Sequence, residues 1–150
     1  IMNVLSSWTI GLVTSRFNSR ITENLEIGAL KVLDQQGVAP EKIRKVRVPG
    51  AVEIPLAAKW LLESGCDGVI TVGAVIRGET SHYDYVCNSV ERGCSQLMLE
   101  TGCPIAFEVL TTENAAQAKD RTKKTKGNKK AEAAKVLIEM LSLKMELKKG

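Results

Sequence analysis

The sequence predicts a doubly wound α/β domain built on a four-stranded parallel sheet. Short apolar segments rich in β-branched residues alternate with longer segments of helical periodicity, which is typical of βαβ units. The chain has 150 residues, and a domain usually has about 100–200, so residues 1–150 are predicted to form a single domain. Apolar residues make up 44% and charged residues 25% of the chain, which indicates a globular protein rather than a disordered one.

Two strands and two helices are predicted in the first half of the chain. Residues 8–14 form an apolar strand, and the following helix has apolar residues four positions apart and ends at Gly37. Residues 43–48 predict a second strand, which a Pro-Gly pair ends. The helix predicted over 52–63 is apolar almost all round, so we expect it to be buried on more than one side, through contacts between subunits.

The second half is predicted to contain two further strands and three helices. Residues 68–75 form the most apolar strand, and residues 81–100 follow as an amphipathic helix. The remaining predicted elements are a strand over 104–110, a short helix over 112–121 and a final helix over about 129–147.

The N-terminal segment carries no signal-type pattern, and no apolar run approaches the roughly 18 residues of a membrane span. We therefore expect a cytoplasmic protein without a membrane partner. The first residue is Ile, so the natural N-terminus can lie upstream.

The positive charge of the chain is concentrated in residues 119–130, where seven Lys or Arg and one Asp give +6, against +4 for the whole chain. Such a segment can hold an anion, bind nucleic acid or form a solvated linker. Nucleic-acid binding would depend strongly on salt, but no aromatic residue follows Phe107 to provide a stacking platform. We therefore expect no nucleic-acid partner.

The four cysteines, at positions 66, 87, 94 and 103, include no pair with CxxC spacing, and the chain has one histidine, His82. This pattern does not predict a metal site, and disulfides are rare in cytosolic chains. We expect small buried thiols.

Unusual segments follow each predicted strand. In an open parallel sheet ligands bind beyond the carboxyl ends of the strands, so these segments should meet at one edge. They are Arg16-Phe17-Asn18, residues 49–53, residues 73–82 and residues 111–114.

The loop after the third strand is the most informative of these segments. Ser81 and Asp84 resemble a capping box at a helix start, where backbone amides favour an anion. Gly78 permits a close backbone approach to a ligand, and His82 can exchange protons near neutral pH. The loop can thus hold a phosphate beside His82. The alternative is that Ser81 and Asp84 only cap a helix and that His82 is a surface residue.

Three other side chains have a functional and a structural interpretation. Glu53 can accept hydrogen bonds from a polyol, or can be favoured at a helix start by the helix dipole alone. Phe17 can stack on a flat ring or pack against the core. Arg121 can hold a phosphate through a bidentate contact, or can belong to a solvated basic segment.

The sequence resembles the 6,7-dimethyl-8-ribityllumazine synthase family from about Ile10 to Leu141. The motifs that carry the resemblance are RFN, VPGAVEIP, GAVIRGETSHYDYVCN, FEVLTTEN and GNK, in the family's order and spacing. The resemblance implies a three-layer, flavodoxin-like α/β/α sandwich. It also implies condensation of 5-amino-6-(D-ribitylamino)uracil with L-3,4-dihydroxy-2-butanone 4-phosphate, the penultimate step of riboflavin biosynthesis, without a metal or organic cofactor.

The resemblance also implies the role of individual residues. His82 matches the proton-transfer histidine, and Arg121 matches an arginine that reaches the substrate phosphate from a neighbouring subunit. Phe17, with Asn18 beside it, matches the aromatic residue that stacks on the pyrimidine ring. The other matching positions are the ribityl-binding Ala51, Val52 and Glu53, the ring-lining Ala74, Val75 and Ile76, the phosphate loop Gly78, Glu79 and Thr80, and the further pocket residues Phe107 and Lys129.

The resemblance further implies a homopentamer, because active sites of the family lie between neighbouring subunits. Some members build 60-subunit icosahedral shells, and a riboflavin synthase is a partner that such a shell can enclose. The linker after Arg121 lacks the insertion of purely pentameric members, but it is lysine-rich where the family is glycine-rich. Val52 also stands where many members have an aromatic residue. The alternative function is a flavin- or nucleotide-binding module without catalysis.

Overall fold

The computed structural model describes residues 7–76, 82–112 and 132–149, and its strands form one parallel sheet. The strands are β1 (Ile10–Ser15), β2 (Ile43–Val48), β3 (Gly68–Ile76) and β4 (Ile105–Thr112). Their order in the sheet is β2-β1-β3-β4, with every neighbouring pair parallel. This confirms the predicted four-stranded, doubly wound sheet.

Among the described residues, four α-helices cover the two faces of this sheet and complete the three layers. They are α1 (Ser19–Gln35), α2 (Ile54–Glu63), α3 (His82–Thr101) and α4 (Glu132–Lys149). Helices α1 and α4 pack on one face and α2 and α3 on the other, each face with its own apolar core. In the described part of the chain, no helix is both long enough and apolar enough to cross a bilayer.

The central strands are buried because helices cover both of their faces. All six residues of β1 are buried. In α1 the predicted spacing of apolar residues places Leu25, Ala29 and Leu33 in the core. The edge strand β2 instead exposes its middle four residues, among them Arg44, Lys45 and Arg47.

The structure corrects the ends of two predicted elements. Strand β4 continues to Thr112, so the short helix predicted over 112–121 cannot start at its first residue. The rest of that prediction lies outside the described residues. The helix predicted from residue 52 begins as a 3-10 turn, Ala51–Glu53, and becomes α-helical at Ile54, where Pro55 is tolerated because the first helical N–H groups have no intrahelical acceptor.

The outward face of the turn and of α2 is apolar and open to solvent in this single chain. Val52, Leu56 and Trp60 are four residues apart and all exposed. Within one chain this helix is buried on one side only, and its burial on a second side through contacts between subunits stays a prediction.

Only two of the four cysteines are the buried thiols that the sequence predicts. Cys66 and Cys94 are buried, whereas Cys87 and Cys103 are half-buried, and no disulfide joins any of the four. Burial raises the pKa of the Cys94 thiol to about 11, and burial is also the main cause of the raised pKa of Cys66. The half-buried pair corrects the prediction: Cys87 packs only partly against the core between the sheet and α2 and α3, and Cys103 lies in the connection between α3 and β4.

Candidate active site

The segment after β1 is tied by its backbone to the end of β2. The N–H of Arg16 donates to the carbonyl of Val48 at 2.8 Å, and the N–H of Phe17 donates to the carbonyl of Pro49 at 3.2 Å. The first two of the predicted site segments therefore meet at the carboxyl edge of the sheet.

Asn18 joins this pair of segments to the end of β3. It adopts the left-handed conformation, with φ 62° and ψ 49°, which asparagine tolerates better than most residues. At the N-cap position of α1 it makes no side-chain capping bond. Its Nδ2 donates instead to the carbonyl of Ala74 at 3.3 Å, so Asn18 connects the strand ends rather than capping its own helix.

The aromatic ring of Phe17 is presented to solvent at this edge. Phe17 is 67% exposed, although it lies between a fully buried strand and a helix. An apolar ring held outward by two backbone hydrogen bonds can stack on a flat ligand. Phe17 therefore does not pack in the core of its own chain, and the interpretation that it stacks on a ligand stays a prediction.

The turn after β2 is closed by the carboxylate of Glu53. Its Oε1 accepts a hydrogen bond from the N–H of Gly50 at 2.9 Å. Ala51 is buried beneath the turn, while Val52 and Glu53 are exposed. The helix-start interpretation of Glu53 is thus correct for one of its oxygens, and its exposure lets a ligand hydroxyl reach the carboxylate.

The end of β3 contributes an apolar surface to this edge, and the start of α3 contributes an imidazole. Ala74 and Val75 are buried at the end of β3, and Ile76 is its last residue. His82 is the first residue of α3 and is exposed, so the imidazole follows β3 after five intervening residues. It begins a helix at the edge where Phe17 and Asn18 lie.

Some predicted site residues are not brought together within this chain. Phe107 pairs with Thr71 in the middle of β4, not at its carboxyl end, and is partly exposed at the sheet edge. The other predicted positions, Gly78, Glu79, Thr80, Arg121 and Lys129, and the predicted cap residue Ser81, lie outside the described residues.

Helices α2 and α3 approach closely beside the site. A Cβ added at Gly93 would lie 2.8 Å from Pro55 Cβ and 2.9 Å from Pro55 Cγ. Pro55 follows Glu53 by two residues, and α3 begins at His82. This contact therefore sets the distance between the turn after β2 and the helix that carries the imidazole.

One polar cluster next to the site was not predicted. Glu26 is buried in α1 and hydrogen-bonds Thr14 of β1 and Arg47 of β2. A signal for it exists in the sequence, because Glu26 directly follows Leu25 on the stripe of α1 that faces the core, where a carboxylate requires partners. Within the described ranges, no group of three or more His, Cys, Asp or Glu side chains could hold a metal ion.

The fold and this edge define a class of protein, namely a doubly wound α/β domain that binds a small molecule beyond the carboxyl ends of its strands. Residues 7–145 match the family described as 6,7-dimethyl-8-ribityllumazine synthase. A protein of that name from Bdellovibrio bacteriovorus is 53% identical over 138 residues, which cover 92% of this chain and 76% of the relative. The chain belongs to the 6,7-dimethyl-8-ribityllumazine synthase family.

Proposed function

We propose that this chain catalyses the condensation of 5-amino-6-(D-ribitylamino)uracil with L-3,4-dihydroxy-2-butanone 4-phosphate. The products are 6,7-dimethyl-8-ribityllumazine, inorganic phosphate and water, which makes the enzyme a transferase of riboflavin biosynthesis. Besides family membership, one observation carries the proposal: the ends of β1, β2 and β3 are joined by hydrogen bonds around an outward-facing aromatic ring.

The pyrimidine substrate fits the described part of this edge. Its ring stacks on Phe17, whose exposure leaves the ring face free for a ligand. Its wall is formed by Asn18 and residues 74–76, which the bond from Asn18 to Ala74 holds together. The ribityl chain lies along residues 51–53, where its hydroxyls donate to the Glu53 carboxylate.

The phosphate substrate is assigned to the segments that follow β3 and β4. In this proposal Gly78, Glu79 and Thr80 supply backbone amides to the phosphate, and Arg121 and Lys129 supply positive charge. Arg121 comes from a neighbouring subunit, as does Phe107, whose place on the edge strand is accessible to a second copy.

The chemistry requires proton transfers and no protein nucleophile. The amine of the pyrimidine attacks the C2 ketone, and the carbinolamine loses water to give an imine. A proton is then removed from C3 while phosphate leaves C4, and the resulting enol takes up a proton at C4 to become a ketone. The second nitrogen attacks this ketone, and loss of a second water closes the ring. His82 carries protons between these steps, and Arg121 with the helix amides stabilises the charge on the departing phosphate. Holding two substrates in register supplies much of the remaining acceleration.

Mixing the purified protein with both substrates tests the proposal. We expect the fluorescence of the lumazine product to appear together with one phosphate released per turnover. Each substrate alone should give neither signal. Binding of the pyrimidine without turnover would instead favour the binding module without catalysis.

We further propose that the chain assembles at least into a pentamer. An apolar groove of about 640 Å³ lies at the β4 edge between α3 and α4, and Leu99, on its wall, is 88% exposed. A second apolar surface, formed by Val52, Leu56 and Trp60, lies on the turn after β2 and on α2, which packs over β1, β3 and β2. Two different apolar surfaces on one chain favour head-to-tail contacts, which close into rings.

Sedimentation of the native protein should therefore give at least a pentamer, and Leu99→Lys should shift it to smaller species, since a buried lysine has no partner in the groove. Ile27→Lys is the matched control, because Ile27 is an exposed apolar residue of α1 away from the groove. A wild-type chain that sediments as a monomer would contradict the assembly.

The larger assembly and the location remain predictions. The length of the linker permits a 60-subunit shell, while its lysines would repel one another at packed positions unless they are neutralised. Enclosure of a riboflavin synthase depends on that shell. The cytoplasmic location rests on the sequence alone.

A further inference from the structure

One buried carboxylate fastens α1 to the ends of two strands. Glu26 accepts a hydrogen bond from Thr14 Oγ1 at 2.6 Å through Oε2 and from Arg47 Nη2 at 2.8 Å through Oε1. Thr14 and Arg47 are directly opposite each other in the register of β1 and β2. Each lies one residue before its strand ends. The carboxylate therefore fixes α1 at the level of the site.

Stability alone does not account for this arrangement. Burying an ion pair costs desolvation, and apolar side chains of similar size often stabilise a fold equally well. What a buried pair with two short hydrogen bonds provides is a defined geometry, because the bonds form only at one relative placement of helix and strands. The side chain of Arg47 remains 41% exposed, so most of the desolvation falls on the carboxylate of Glu26.

Glu26 is linked to Phe17 along two routes, one through helix α1 and one through strand β2. Helix α1 begins at Ser19, directly after Phe17 and Asn18. On the other side, Val48 and Pro49, the two residues that follow Arg47, accept the backbone hydrogen bonds of Arg16 and Phe17. We infer that Glu26, held by Thr14 and Arg47, is a positioning residue that fixes the Phe17 ring for the pyrimidine substrate.

This inference rests on the proposed function and predicts a specific kinetic change. Loss of the Glu26 bonds lets α1 shift against the strands, so Phe17 moves and the pyrimidine binds more weakly. His82 belongs to α3 on the opposite face of the sheet, so proton transfer is not affected directly. We expect the KM for the pyrimidine to rise about tenfold, with kcat and the KM for the phosphate substrate within about twofold.

The experiment compares Glu26→Gln and Arg47→Met with two matched controls in steady-state assays that vary each substrate separately. Glu23→Gln changes an exposed carboxylate of the same helix whose contact with Arg47 is a longer one, at 3.8 Å. Arg44→Met changes the other arginine of β2, which bonds Ser64 on the opposite face. Arg47→Lys keeps the charge and should restore part of the affinity. Thermal unfolding is measured for every variant.

The results distinguish failure of the positioning role of Glu26 from failure of the proposed enzymatic activity. A selective rise in the pyrimidine KM in Glu26→Gln and Arg47→Met, absent from both controls, supports the positioning role. An unchanged pyrimidine KM, or equal rises for both substrates, overturns it. If Glu26→Gln does not fold, the two Arg47 variants decide alone, because that side chain is partly exposed. A wild-type chain that forms no lumazine refutes the function itself.

Discussion

Replacing His82 with alanine should lower kcat for lumazine formation by about 100-fold or more, because proton transfer by a positioned side chain typically contributes about 10²- to 10⁴-fold. His82 stands exposed at the start of α3, where its loss leaves the apolar core of the sheet unchanged. The dissociation constant for the pyrimidine should therefore change little. Steady-state turnover and equilibrium binding of the pyrimidine measure the two quantities separately.

Glu91→Gln is the matched control for this variant. It changes an exposed charged residue further along the same helix, and we assign it no part in proton transfer. Turnover that is unchanged in His82→Ala, with the pyrimidine still bound, would favour the binding module over the enzyme.

Replacing Gly93 with alanine should destabilise the fold by about 1–3 kcal/mol, the usual cost of overpacking. The added Cβ would lie 2.8 Å from Pro55 Cβ, and a proline ring cannot rotate away. Without this contact, glycine to alanine inside a helix would stabilise by about 0.5–1 kcal/mol, so the sign of the change is itself a test. Denaturant unfolding measures it.

The same substitution should also lower turnover, because Pro55 and Glu53 belong to one short segment that would be pushed away from α3. Ser89→Ala, on the exposed surface of α3, is the control, and its stability should change by less than about 0.5 kcal/mol. A Gly93→Ala chain as stable and active as the wild type would show that α2 and α3 separate without cost.

Local sequence signals were sufficient to predict most of the fold. Strand β2 begins and ends where it was predicted, at residues 43 and 48, because a proline and a glycine end the apolar pattern at a defined point. The core face of α1 followed from the four-residue spacing of Leu25, Ala29 and Leu33. The alternation of these elements then determined a parallel sheet.

The remaining features depend on contacts that local signals do not encode. Strand β4 runs to Thr112 because β3 pairs with it as far as Ile76. The sequence of one strand does not indicate how long its partner strand is. In the site, the sequence predicted that Phe17 and Asn18 lie near residues 49–53. It did not predict that the Asn18 amide bonds Ala74, nor the partners of Glu26, which come from two different strands.

The cationic residues of β2 affect how copies of the chain can associate. An open strand edge offers unpaired backbone groups to any extended segment, and closely spaced positive charges oppose such pairing. Arg44 and Lys45 place positive charge on this rim beside Arg47, whose charge Glu26 balances, so two β2 edges repel each other. Growth of open-ended fibrils through that rim is thereby disfavoured.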